Sequence, residues 1–161
     1  MANNAFMTLT GKSQGLISAG CSTLESISNK YQSDHTDEIM VLSWDHRLFN
    51  NWSKTRPTHE PIVVSKYSDK STPLLAQALS NREEIDGKID FYRVSPSGTQ
   101  ENFLSISFKG GIIVEQTFSM PHVLLHAGGE HEEQLAIRYR EITWRNHIAK
   151  TSGYSFWGEE G

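Results

Sequence analysis

The sequence predicts a mainly β fold: a compact antiparallel β-barrel or sandwich with one inserted α-helix over about residues 72–81 and a long protruding loop over about 47–60. Three observations carry this expectation. Short runs with two-residue alternation recur along the chain, as where Leu135, Ile137 and Tyr139 interleave with Ala136, Arg138 and Arg140, the mark of a half-buried strand. One segment alone combines helical periodicity with capping residues. Gly- and Pro-containing turn signals separate the remaining runs at short spacing, as in all-β domains.

Taken in order, Phe6-Met7-Thr8-Leu9-Thr10 alternates as a short strand that Gly11 stops. Residues 12–36, rich in Ser, Gly, Asn and Gln, read as short strand pieces and loops. Ile39 to His46 is a firmer strand whose two parities both begin apolar, which suits a strand covered on both sides. Arg47 to Glu60 is the long loop, with Asn50-Asn51, Pro57 and Trp52 at its middle; loops beyond about 12 residues usually have a function or lack order. Pro61 to Tyr67 is rich in β formers. The helix then starts at Ser71 or Thr72 as N-cap, with Pro73 at its first position and Leu74, Leu75, Ala78 and Leu79 along one face, and ends near Asn81.

Ile89 to Val94 is a strand, and Ser95-Pro96-Ser97-Gly98 fits a type I turn. Phe103–Phe108 and Ile112–Phe118 flank Gly110-Gly111, a two-residue hairpin signal. Pro121 to Glu133 is a polar, His-rich connection. The alternation from Leu135 to Tyr139 then slips, because Ile142 and Trp144 fall on the other parity. Either a bulge lies near Arg140-Glu141 or both faces become covered there. The chain closes on Thr151-Ser152-Gly153-Tyr154-Ser155-Phe156-Trp157, aromatic where most domains fray into polar residues.

With 161 residues, the chain is expected to be a single domain over 1–161, large enough to bury about 68–70% of its unfolded surface. There is no internal repeat, heptad run or low-complexity tract. The lone Cys21 rules out an internal disulfide and makes a reducing compartment the default; it reads as a small half-buried residue. A net charge of -4 argues against nucleic acid as a partner. No apolar run approaches the roughly 20 residues that span a bilayer, so no membrane insertion is expected. The N-terminus lacks a basic segment and an apolar core, so it is not read as a cleaved export signal.

The motifs that suggest chemistry are weak. His122 and His126 have the i, i+4 spacing of a zinc helix, and His131 and Glu130 follow. Yet Pro121 and Gly128-Gly129 frame a segment too short for a stable helix, and Val123 stands where a zinc protease needs Glu. Thr10-Gly11-Lys12-Ser13 resembles the end of a phosphate loop, but Phe6 occupies its required first glycine. Asn51-Trp52-Ser53 matches a glycosylation triplet with no secretory signal to make it relevant. Glu83-Glu84 and Glu132-Glu133 read as solvated turn charges, and adjacent residues do not face each other, which argues against a paired acid/base role. Arg138, Arg140 and Glu141 are read as solvent-face charges or as partners across a subunit boundary, where Arg is enriched.

Asp69-Lys70-Ser71-Thr72-Pro73-Leu74-Leu75, Phe91-Tyr92-Arg93, Ile137-Arg138-Tyr139-Arg140-Glu141-Ile142-Thr143-Trp144 and the Ser-Gly-Tyr-Ser-Phe-Trp tail resemble, in order and spacing, the Hcp family of tube-forming proteins of bacterial type VI secretion. The resemblance spans nearly the whole chain. It implies a non-enzymatic protomer, without cofactor, metal or catalytic residues. It also implies homohexameric rings stacking beneath a spike protein (VgrG) within a contractile sheath and baseplate, with small effector proteins carried in the lumen. Localisation would be the bacterial cytoplasm and then the exterior, through the machine and without a cleaved signal peptide. With four residues following Trp157, no fused toxin domain is expected. Arg47, Trp52, Arg140, Ile142, Trp144 and Trp157 are the expected subunit contacts, with the strand edge near Ile142 to Trp144 among them. The alternative is a small metal-binding module or hydrolase using His122, His126 and His131, which oligomeric state discriminates.

Overall fold

Eleven strands and two short helices follow one another in the computed structural model, which describes residues 3–157. They are β1 (Asn4–Gly11), β2 (Gly15–Leu16), α1 (Leu24–Ile27), β3 (Ile39–Asp45), β4 (Leu48–Asn50), β5 (Pro57–His59), β6 (Ile62–Tyr67), α2 (Thr72–Ser80), β7 (Ile85–Val94), β8 (Gln100–Ser119), β9 (Glu132–Arg138), β10 (Glu141–Asn146) and β11 (Thr151–Phe156). The main antiparallel sheet runs β11-β10-β8-β7-β1-β3-β6-β9, and β9 pairs again with β8. The ladder thus returns to a strand it has already passed. Met7, Leu9, Ile39, Ile62, Val64, Ile85, Ile89, Ile106, Phe108, Leu135 and Ile137 fill the space it encloses. The expected mainly β barrel or sandwich is what forms.

Strand β8 makes this possible. Twenty residues would reach about 66 Å if straight, too long for one face of a domain this size. It turns a corner at Gly110-Gly111 instead, so its first half pairs with β7 and β10 and its second with β9. This corrects the expected hairpin at that dipeptide. Gly110 has φ 65°, and its backbone N–H donates to Asp86 Oδ1 at 3.1 Å. A side chain at Gly111 would meet the Ile85 carbonyl oxygen at 2.8 Å, so the close packing at the corner requires glycine.

The parity slip has a related cause. β9 and β10 are separate strands joined at Tyr139-Arg140, β9 lying between β6 and the second half of β8 and β10 between β11 and the first half, so their inward sets have no reason to share a parity. Residues 47–60 are also more ordered than a loop: β4 and β5 form a two-stranded hairpin of their own, pairing Leu48 with His59 and Asn50 with Pro57. At its tip Asn51 Oδ1 accepts from the Ser53 N–H and hydroxyl. The stretch after β2 includes the single turn of α1 and two 3-10 turns, the second of which stacks His35 on Phe6 at 3.7 Å. That contact covers the outer face of β1.

Helix α2 lies where its pattern predicts, with Ser71 at the N-cap and Asn81 at the C-cap. Leu75 and Ala78 are buried, while Leu74 is partly exposed. The cap is built by Asp69, whose Oδ1 accepts from the Ser71 N–H at 2.9 Å and from its hydroxyl. Two carboxylates read as solvated prove to be interior. Glu83 accepts the Ser13 and Gln14 backbone N–H groups at 3.0 and 2.9 Å, and these bonds hold its pKa below the ordinary value against the opposing effect of burial. Glu133 is fully buried against Lys66. Cys21 is buried as well, and desolvation pushes its thiol up to about 11, leaving it unreactive at neutral pH.

Candidate assembly surface

Loops and the chain's last strand meet where the β4–β5 hairpin leaves the barrel. The Tyr139 hydroxyl, at the β9–β10 corner, lies 2.8 Å from His46 Nε2 and 2.6 Å from His59 Nδ1, and His59 Nε2 lies 3.0 Å from the Ser155 hydroxyl on β11. Tyr139 carries one hydroxyl proton, so it donates to one imidazole and accepts from the other. Both rings can therefore be satisfied while neutral, whereas protonating both would leave the hydroxyl proton without an acceptor. Burial, and for His46 then the neighbouring His59, lowers both histidine pKa values; burial also raises that of Tyr139. Trp157 stacks on His59 at 5.6 Å, the Arg138 guanidinium covers its ring at 5.2 Å, and its backbone N–H donates to the Arg140 carbonyl at 2.8 Å. Arg47 braces the hairpin through Glu60 at 3.7 Å and lies over Phe49 at 4.5 Å.

Two surfaces remain uncommitted in this frame. The hairpin tip carries Trp52, whose relative exposure of 104% means it touches nothing in its own chain. A groove of about 630 Å³ lies beside the β8 corner, lined by Arg82, Glu84, Ile112, Val114, Arg138 and Phe156 among others. Beside it runs the edge of β11, paired on one side with β10, with Tyr154 and Phe156 exposed.

The expected contact residues divide accordingly. Trp52 and Arg47 are exposed on the hairpin. Arg140 lines the groove and pairs with Glu84 at 3.1 Å. Trp157 is half-buried in the junction. Ile142 is a correction: it lies between β8 and β11 with 1% exposure and has no surface to offer a neighbour. Trp144 packs against the core from the same strand, so the free edge belongs to β11. Arg138 and Glu141 also find partners within the chain, Trp157 and the Tyr154 hydroxyl. His46, His59 and Tyr139 escaped the sequence reading because their pairing joins residues 80 and more apart.

His122, His126 and His131 do not converge. The His122 carbonyl accepts from the Leu125 and His126 N–H groups in an isolated turn. Among the described residues no group of three or more His, Cys, Asp or Glu side chains is placed to hold a metal ion.

A family model described as type VI secretion system effector, Hcp, matches residues 6–145. The major exported protein of Pseudomonas aeruginosa is 36% identical over 167 aligned positions, covering 98% of this chain and 96% of that one. The chain belongs to the Hcp family. Among solved structures, an Hcp crystal structure superposes with a TM-score of 0.92 at 31% identity over 99% of this chain and all of that one. The secreted protein Hcp3 of Pseudomonas aeruginosa gives 0.87 at 36% identity over 98% of this chain and all of that one. Hcp is a family of structural type VI secretion tube proteins and not of enzymes. No helix among the described residues is long and apolar enough to cross a membrane.

Proposed function

We propose that this Hcp chain acts over residues 1–161 as one protomer of a homohexameric ring. Such rings stack into the inner tube beneath the spike protein and within the contractile sheath, with baseplate components as further partners, and their lumen shelters small effectors during export without a cleaved signal peptide. The observation that carries this reading is Trp52, an aromatic side chain held in full solvent at the tip of an ordered hairpin. A closed ring needs two different patches that meet head to tail. The hairpin with Arg47 and Trp52 is one such patch; the groove with Arg140 and Phe156, rimmed by Trp157 and the β11 edge, is a second.

Light scattering on a sizing column with electron micrographs of the peak tests this. The expected result is annular particles of six times the 18.2 kDa protomer mass. An aromatic hot spot is worth about 2 kcal/mol or more, so Trp52→Ala should raise the concentration needed for assembly by about 30-fold, with Arg47→Glu acting in the same direction. Monomers at all concentrations would overturn the ring; variants that assemble like the wild type would overturn the contact assignment.

A further inference from the structure

The outward face of β7, β8 and β10 carries a polar recess that the assembly surface does not use. Asp90 and Ser105, both 5% exposed, lie directly opposite each other on β7 and β8. The Ser105 hydroxyl donates to Asp90 Oδ1 at 2.5 Å and lies 2.7 Å from His147 Nε2. A carboxylate only accepts, so the serine proton is committed to Asp90 and His147 must be the donor to Ser105. Asn102 Nδ2 donates to both Asp90 and Ser105, at 3.2 and 3.3 Å, and Lys88 reaches Asp90 Oδ2 at 3.3 Å. Asp90 is thus spent inward, fixing a row of side chains whose free ends face out.

What those ends offer is mostly cationic. One recess of about 310 Å³ is lined by Lys88, Asn102, Ser105, Ser107, Thr143, Arg145 and His147. A second of about 300 Å³ adjoins it, sharing Arg145 and His147 and adding Lys150 with Asn146, Thr151 and Ser152. Neither lining contains a carboxylate. Arg145 and Lys150 have no acidic partner within 4.0 Å among the described residues, in a chain whose net charge is -4.

We propose that this double recess docks an acidic peptide segment of a protein partner, with its carboxylates on Arg145, Lys150 and Lys88. Lys88 lines one recess and Lys150 the other, with Arg145 in the wall they share, so the cations are spread along the surface and not gathered at one point. Two recesses sharing one wall also suit an extended chain with successive acidic side chains better than a single ion. The site is independent of the ring and stands or falls without it.

The test is anisotropy of a dye-labelled, end-blocked pentaglutamate peptide titrated with the full-length protein at low salt. Pentaglutamine is the neutral control, and unlabelled inorganic phosphate the competitor. Arg145→Gln and Lys150→Gln break no ion pair in the protein, so folding should survive. Each is expected to weaken pentaglutamate about fivefold, the upper range for one exposed ion pair, and Lys54→Gln on the distant hairpin should not. Pentaglutamate binding weakened to that extent in each of the two variants, with pentaglutamine silent and phosphate competing only at far higher concentration, supports the site. Binding unchanged in both variants overturns it. Phosphate competing as well as the peptide reduces it to a free-anion site and overturns the peptide assignment.

Discussion

Replacing Lys66 by Met puts the energetics of the interior to a direct test. The Lys66 side chain is fully buried, and its ammonium group spends all three protons, on the Tyr67 carbonyl at 2.9 Å, Asp69 Oδ1 at 2.9 Å and Glu133 Oε1 at 2.5 Å. Glu133 is also fully buried, and its second oxygen has no hydrogen-bond partner among the described residues. Lys66→Met removes the cation and strands that carboxylate. Breaking a buried pair from one side costs about 3–5 kcal/mol, a large share of the roughly 5–15 kcal/mol that holds a domain together. For a chain of this size that lowers Tm by about 6–20 °C. Asp69 keeps the Ser71 bonds, so Glu133 bears most of the loss. Lys66→Met with Glu133→Leu, which removes both charges and conserves volume, should recover most of it. Urea unfolding of the three proteins at pH 7 decides. A single variant losing less than about 1 kcal/mol, or a double variant no better than the single, would refute the reasoning.

The histidine junction makes stability pH-dependent. His46 and His59 have pKa values below the ordinary 6.5 when folded, so the unfolded chain binds more protons below that value. Stability is therefore expected to fall as pH drops through 6.5 towards the folded values, and to be level above it. His59→Gln, which hydrogen-bonds but does not charge, should flatten the loss; urea midpoints at pH 7.5 and 5.5 that do not differ in the wild type would sink the idea. At the β8 corner, Gly110→Ala forces a side chain into left-handed backbone at φ 65° and to within 2.8 Å of the Arg140 side chain. It should cost about 1–2 kcal/mol in thermal unfolding, and an unchanged Tm would show that the corner tolerates a Cβ.

How far the sequence could be read depended on the range of the interactions involved. Helix α2 was legible to within a residue because Ser71, Pro73 and the Leu75/Ala78 face act within one turn. The Ser95–Gly98 turn was legible for the same reason, and its Gly98 N–H donates to Ser95 O at 2.9 Å. Gly110-Gly111 misled because the same permissive backbone serves a two-residue hairpin and a bend within one strand; which results depends on whether β9 waits beyond the corner. The slip at Arg140-Glu141 was visible, but one chain's parity does not tell a bulge from a change of partner strand. Ile142 looked like an edge residue because β11 was not recognised as the strand outside it. The hairpin of residues 47–60 hid for want of alternation: its strands have three residues each, too few to show a period.

That hairpin also shows why the junction beneath it matters. A lone two-stranded hairpin is marginal in water, and this one is outside the main sheet. Its order must come from its base, where His59 joins β5 to the β9–β10 corner through Tyr139 and to β11 through Ser155. The same residue therefore holds the strand that carries Tyr154 and Phe156 and the hairpin that carries Trp52. An exposed tryptophan on a mobile loop would lose ordering entropy each time it docked, whereas one on a braced hairpin has already lost it during folding. Loosening His59 or Tyr139 should then weaken association even though neither residue lies at the hairpin tip.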